Sequence, residues 1–292
     1  MTAGLLALAV MFTGCSAPAE SESGAALPDV VGSMDIRYAE QFSVDYLADG
    51  SALAEVADGR RYLIIPDGGE VPEQLPEAVP VISQPENIYL ASSSSMDLFS
   101  SLDCLGDILA SSTPESGWKL PEIAQAMADE DILYAGKYSS PDIELLMSEG
   151  CDLAIENMMI YHSPKTAEQI ESCGIPVFIE RSSAESHPLG RLEWVRLYGL
   201  MLGKADEAEK FFSEKCSLLD EVTSRESTGC TAAFFYISSN GSAVVRKPGD
   251  YISKMIELAG GKYVFTAGDL NVDENALSSA NIQFEAFYAL AK

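Results

Sequence analysis

Three short segments carry the side chains most able to hold a small molecule. The first follows an apolar stretch, Asp152 to Glu156, and reads Asn157, Met158, Met159, Ile160, Tyr161, His162. The second follows Ile175 to Ile179 and brings Glu180, Arg181, Ser182, Glu185 and His187. The third follows Thr231 to Ser238 and brings Tyr236, Ser239 and Asn240. Trp118, Tyr134 and Tyr138 lie between elements and could form an aromatic wall. The chemistry on offer is recognition. A guanidinium such as Arg181 pairs with an acidic chelate in bidentate geometry. A single His or Tyr can ligate haem iron. Each residue also has a structural use. Met158 and Met159 could fill a core, Arg181 could pair with Glu180 or Glu185, and His187 before Pro188 could cap the helix that follows.

Motifs for turnover are missing. The sequence has no Walker A run, no GxSxG and no HExxH, and Gly260-Gly261 lacks a GxGxxG setting. Past Cys15, the cysteines Cys104, Cys151, Cys173, Cys216 and Cys230 show no CxxC and no metal spacing, so they read as free buried thiols. With two histidines in all, a bare-metal site is not expected.

The elements that must position these loops alternate between strand and helix. Asp152–Glu156, the helix Pro164–Cys173 closed by Gly174, and Ile175–Ile179 form a βαβ unit, which implies a parallel sheet with a right-handed crossover. Asp35–Leu47 alternates like a strand, and Ala52–Val56 with Arg61–Ile65 reads as a hairpin. Met96–Ala110 reads as one helix. Helices are also expected over Pro121–Asp129, Pro141–Glu149 and Tyr251–Leu258, and strands over Thr231–Ser238 and Ala243–Arg246. Asn281–Ala291 reads as a final helix with no strand after it, so the last lobe is expected to be incomplete.

The centre of the chain is Leu189 to Leu202, apolar on almost every side and therefore buried. Its fourteen residues span roughly 21 Å, too short for a membrane. Gly203 closes it, and an amphipathic helix runs from Asp206 to about Arg225. The expected fold is α/β: two Rossmann-like lobes joined by a single long inter-lobe helix, with loops opening into a groove between them. The expected boundaries are 35–186 for the N-terminal lobe, 187–204 for the inter-lobe helix and 205–292 for the C-terminal lobe.

The 292 residues carry a formal charge of −27, which excludes a nucleic-acid partner, since phosphate binding needs a basic face. The apolar run Leu5 to Phe12 suits a signal-peptide core. Phe12-Thr13-Gly14-Cys15 resembles a lipobox, which implies lipidation of Cys15 after removal of residues 1–15 and a flexible tether over 16–34. No charged n-region precedes Leu5, which leaves open a start upstream of Met1.

The ordered motifs PDIELLMSEGCDLAI, GIPVFI, GDYISKMIELAGGKYVF and NIQFEAFYALA resemble the substrate-binding proteins of ATP-binding-cassette (ABC) importers of the iron-siderophore, haem and cobalamin type. The stretch SSAESHPLGRLEWVRLYG resembles lipoproteins of Gram-positive anaerobes. The resemblance implies a monomer on the outer face of the cell membrane, with no intrinsic cofactor. It implies a ferric siderophore, haem or corrinoid as cargo, and the ABC permease with its ATPase as partners. It also implies that Glu144 and Glu285 dock on permease arginines, and that lobe closure is small because one buried helix resists bending. The alternative is a cofactor- or cluster-binding enzyme module on the same scaffold, which would need cysteines converging on the cleft.

Overall fold

The computed structural model describes residues 27–66, 68–72 and 79–291. The expected signal peptide, Cys15 and most of the tether lie outside them.

The first layer is a sheet of five strands. Val30–Ser33, Phe42–Leu47, Ala52–Val56 and Arg61–Ile65 form an antiparallel meander, and Val81–Ser83 adds parallel to the last. Phe42, Val44 and Leu47 alternate inward from one strand, as Ala52, Ala54 and Val56 do from the next. The turn between Ala52–Val56 and Arg61–Ile65 needs a left-handed residue and has Gly59 at φ +86°. Val30–Ser33 was expected to be tether. It is ordered as an edge strand by its ladder to Phe42–Leu47 and by the Ser33 hydroxyl, which donates to Asp45 at 2.6 Å.

The second layer is a parallel sheet in the order Val177–Glu180, Leu153–Asn157, Ile88–Leu90, Ile108–Ser111, Leu133–Tyr134. Its middle strands are buried on both faces, which accounts for their continuous apolar runs. The helices Met96–Ser101, Pro121–Ala128, Ile143–Ser148 and Pro164–Ser172 lie between these strands in the chain. The single helix expected over Met96–Ala110 is corrected. It ends at Ser101, Asp103 takes φ +57°, and Ile108–Ser111 enters the sheet. A short apolar run fits either a buried helix or a buried strand, and the sheet decides.

The linker helix, Pro188–Met201, buries Leu189, Trp194, Val195, Leu197, Tyr198 and Met201. Trp194 meets Phe42 edge-on at 5.0 Å, and Tyr198 packs on Phe99 at 5.1 Å, so the helix joins meander and parallel sheet in one core. It turns back into Ala205–Thr223 through a close approach at Gly199, where a methyl group would lie 2.8 Å from the Lys204 carbonyl.

Beyond it, Phe235–Ile237, Ala243–Arg246 and Ser279–Ile282 form an antiparallel sheet, and Thr231–Ala232 pairs with Lys262–Tyr263. Ala243, Val245, Tyr263, Phe265 and Phe287 make this lobe's small core. Two expectations are corrected here. Thr231–Ser238 splits between two sheets, and Asn281–Ala291 is the end of a strand followed by the helix Phe284–Leu290.

Candidate functional site between the lobes

The parallel sheet reverses its strand order between Ile88–Leu90 and Leu153–Asn157. Such a switch point leaves a crevice beyond the strand ends, where open α/β sheets hold ligands. The chain after Ile88–Leu90 is Ala91 to Ser95, and it is held firmly. Ser92 donates to the buried Glu180 carboxylate at 2.8 Å, and the Ser95 hydroxyl shares a hydrogen bond with Tyr198 of the linker helix at 2.9 Å. The other Glu180 oxygen accepts the Ser182 amide at 2.6 Å. One buried carboxylate therefore ties the loops at 92 and 182 together. Burial pushes its pKa up, and the serine hydrogen bonds oppose that shift.

These loops form one wall of a groove of about 460 Å³. Ser94, Asp97, Leu98 and Ser182 belong to this wall. The floor is the first turn of the linker helix, with Leu189, Arg191 and Leu192. Tyr251 and Met255, from the helix Tyr251–Leu258 of the second lobe, face them. Asp250 fixes that helix by accepting from the Ile252 and Ser278 amides, both at 3.1 Å.

Arg191 crosses the groove floor. It donates to the Ser183 carbonyl at 2.6 Å and to the Glu185 carbonyl at 3.2 Å, and its guanidinium lies 3.7 Å from the centre of the Tyr251 ring. It is thus a strut between lobes, made of two hydrogen bonds on one side and a cation–π stack on the other.

None of the ten expected ligand residues lines this groove. Asn157 braces the switch point: it donates to the Ala91 carbonyl at 3.2 Å and accepts from the Met159 amide at 2.8 Å. Met158 is half-buried in the following turn, while Met159 and His162 are exposed. Arg181 points to the meander, donating to Gln41 and to the Tyr161 hydroxyl, both at 3.2 Å, and Tyr161 in turn donates to Asp58. Glu185 is buried, and its oxygens accept from the Glu40 and Gln41 amides and from the Trp194 indole at 2.8, 3.0 and 3.0 Å. His187 caps the linker helix, accepting from the Leu189 amide at 3.1 Å, and stacks on Tyr38 at 4.6 Å. Burial lowers its pKa. It lines a separate cavity with Arg225, Lys254 and Glu257. Trp118 packs on the main core and donates to the Thr113 carbonyl at 3.2 Å. Tyr138 packs on the core beneath the parallel sheet, and Tyr236 is exposed on its strand.

The residues that do line the groove were legible only in part. Asp97 and Ser94 follow a recognisable strand, but the switch point that makes that loop the crevice is a property of strand order. Arg191 has no sequence signal for the groove, because its stack on Tyr251 joins residues sixty apart in the chain.

Glu144 and Glu285 are exposed in the first turns of Ile143–Ser148 and Phe284–Leu290. The cysteines among the described residues are free thiols: Cys104, Cys151 and Cys216 are buried, Cys173 is half-buried and Cys230 is exposed. Cys151 and Cys173 precede parallel strands, at the edge opposite the groove. Among the described residues, no group of three His, Cys, Asp or Glu could hold a metal, and no helix is long and apolar enough to cross a membrane.

No family model matches the sequence. It is 25% identical over 255 residues to an uncharacterized lipoprotein of Methanocaldococcus jannaschii, covering 81% of this chain. The chain spans 58% of the length of that curated relative. Among solved structures, the catecholate-siderophore binding protein VctP of Vibrio cholerae is similar, with a TM-score of 0.59 at 12% identity over 82% of this chain and 75% of that one. The petrobactin-binding protein YclQ of Bacillus subtilis gives 0.58 at 12% identity, covering 82% and 74%. The haem-binding protein HutB of Vibrio cholerae gives 0.56 at 16% identity, covering 70% and 72%. The architecture described above is therefore the two-lobed α/β fold of the periplasmic binding proteins.

Proposed function

We propose that this chain is the extracytoplasmic substrate-binding component of an ABC importer. It captures a ferric siderophore, haem or corrinoid in the groove between its lobes and delivers it to the permease and its ATPase. The observation that carries this reading is the groove itself. It lies at the topological switch point of a parallel sheet, is floored by a buried helix, and is walled by both lobes. Its walls offer apolar and aromatic surface with a few polar groups, as expected for holding a small molecule. The shared fold with siderophore- and haem-binding proteins supports the same reading. Lipidation at Cys15 would keep the protein on the outer face of the membrane, in line with the lipoprotein relative. Glu144 and Glu285, exposed in the first turns of their helices, would serve as the docking carboxylates for permease arginines.

Binding without turnover is the expected behaviour. Thermal unfolding of the full chain against ferric siderophores, haem and corrinoids tests it, because a ligand that binds only the folded state raises the midpoint by mass action. At a hundredfold excess over Kd the gain is about 2.7 kcal/mol. A midpoint unmoved by all three classes would refute the proposal.

A further inference from the structure

We propose that the groove selects a metal chelate of zero or positive net charge, and that the Asp97 carboxylate sets this preference. The inference rests on the binding-protein reading and narrows its cargo.

Among the described residues lining the groove, two are charged, Asp97 and Arg191. Arg191 is committed. Its Nε and one terminal nitrogen hold the Glu185 and Ser183 carbonyls, and its flat face covers the Tyr251 ring at 3.7 Å. To grip an anion in bidentate fashion it would have to release these partners. Arg246, whose charge is felt at Arg191, faces Asp250 at 3.6 Å, so that pair brings no net charge. Asp97 differs. It is exposed, in the first turn of Met96–Ser101, and among the described residues no hydrogen bond or ion pair engages its carboxylate.

Around it, Leu98, Leu189, Leu192, Met255 and the Tyr251 ring supply apolar surface. A cargo seated on that surface displaces water, and the field of the free carboxylate is then less screened than in bulk solvent. A ferric tris-catecholate carries three negative charges and would meet Asp97 as a like charge. Haem carries two carboxylates and would likewise add negative charge to the groove. A ferric trihydroxamate is neutral, and it is cationic when it carries a free ammonium group. That ammonium would donate a charge-assisted hydrogen bond to the Asp97 carboxylate.

The test is titration calorimetry of the full chain, wild type and Asp97→Asn, at 50 and 500 mM salt. The probes are an ammonium-bearing ferric trihydroxamate, a neutral ferric trihydroxamate, a corrinoid, a ferric tris-catecholate and haem. The cationic or neutral chelates should bind tightest. Asp97→Asn should weaken the cationic chelate by roughly 3- to 10-fold at low salt, with a smaller loss at high salt, and leave the neutral ones within about twofold. Tris-catecholate or haem binding as tightly as the trihydroxamates would overturn the inference while leaving the binding-protein reading intact. Equal affinity of the variant for the cationic chelate would also overturn it. Binding of none of the five would overturn both.

Discussion

Glu156 is the most exposed weakness in the energetics of this fold, although it is wholly inside it. It is 0% accessible on the central strand Leu153–Asn157, and neither carboxylate oxygen has a hydrogen-bond partner among the described residues. Strand register pairs Ala154 with Tyr89, and side chains alternate, so Glu156 shares its face with the Tyr89 hydroxyl, which is likewise buried and unpartnered. Desolvation pushes the Glu156 pKa up to about 8 from an ordinary 4.5. The sign follows from proton binding. Between pH 4.5 and 8 the folded chain keeps this proton and the unfolded chain has released it. Stability therefore falls as pH rises through that window, by about 1.4 kcal/mol per pH unit, and the loss is complete above about pH 8. At pH 7 the cost is on the order of 3 kcal/mol, a large share of an ordinary domain's stability. Glu156→Gln removes the titration and keeps the shape. Urea unfolding of both proteins at pH 5.0, 6.0, 7.0 and 7.5 should show the wild type losing about 1.4 kcal/mol per unit more than the variant. Glu180 and Glu185, whose pKa values burial also raises, are present in both proteins and cancel in the difference. Parallel slopes would refute the reasoning, because they would mean that Glu156 is solvated or paired in the folded protein.

Three other perturbations have defined outcomes. Glu193 is buried on the linker helix and accepts the Arg37, Tyr38 and Ala39 amides at 2.9, 2.7 and 2.8 Å, so Glu193→Ala should cost about 3–5 kcal/mol in urea unfolding, with Glu193→Gln losing less. Gly199→Ala drives a methyl group against the Lys204 carbonyl and should cost about 1–3 kcal/mol by the same assay while leaving the groove residues untouched. The double variant Glu144→Ala, Glu285→Ala should bind its chelate unchanged in calorimetry yet lower chelate uptake by cells at least about tenfold, since each lost charged pair is worth on the order of 1 kcal/mol or more.

The linker helix was legible because its apolar residues leave no polar face, a pattern that only a surrounded helix tolerates. The βαβ unit was legible because Pro164 starts its helix and Gly174, at φ +82°, ends it. Met96–Ser111 was not, because thirteen of its sixteen residues are apolar or small and suit a helix or a strand, and the neighbouring Ile88–Leu90 chose. The groove's location between the lobes followed from the order of elements. Its lining did not, because the meander decides where the loop side chains turn. Gln41 and Asp58 draw Arg181 and Tyr161 away from the groove, and the Glu40 and Gln41 amides take up Glu185. Those partners lie more than a hundred residues earlier in the chain, and no spacing in the sequence announces them.

Hydrogen exchange with and without a bound chelate tests the central claim most directly. If cargo sits between the lobes, the amides of residues 94–98, 182–192 and 251–255 gain protection together. Protection confined to one lobe, or centred on the cavity beside His187 and Lys254, would contradict it.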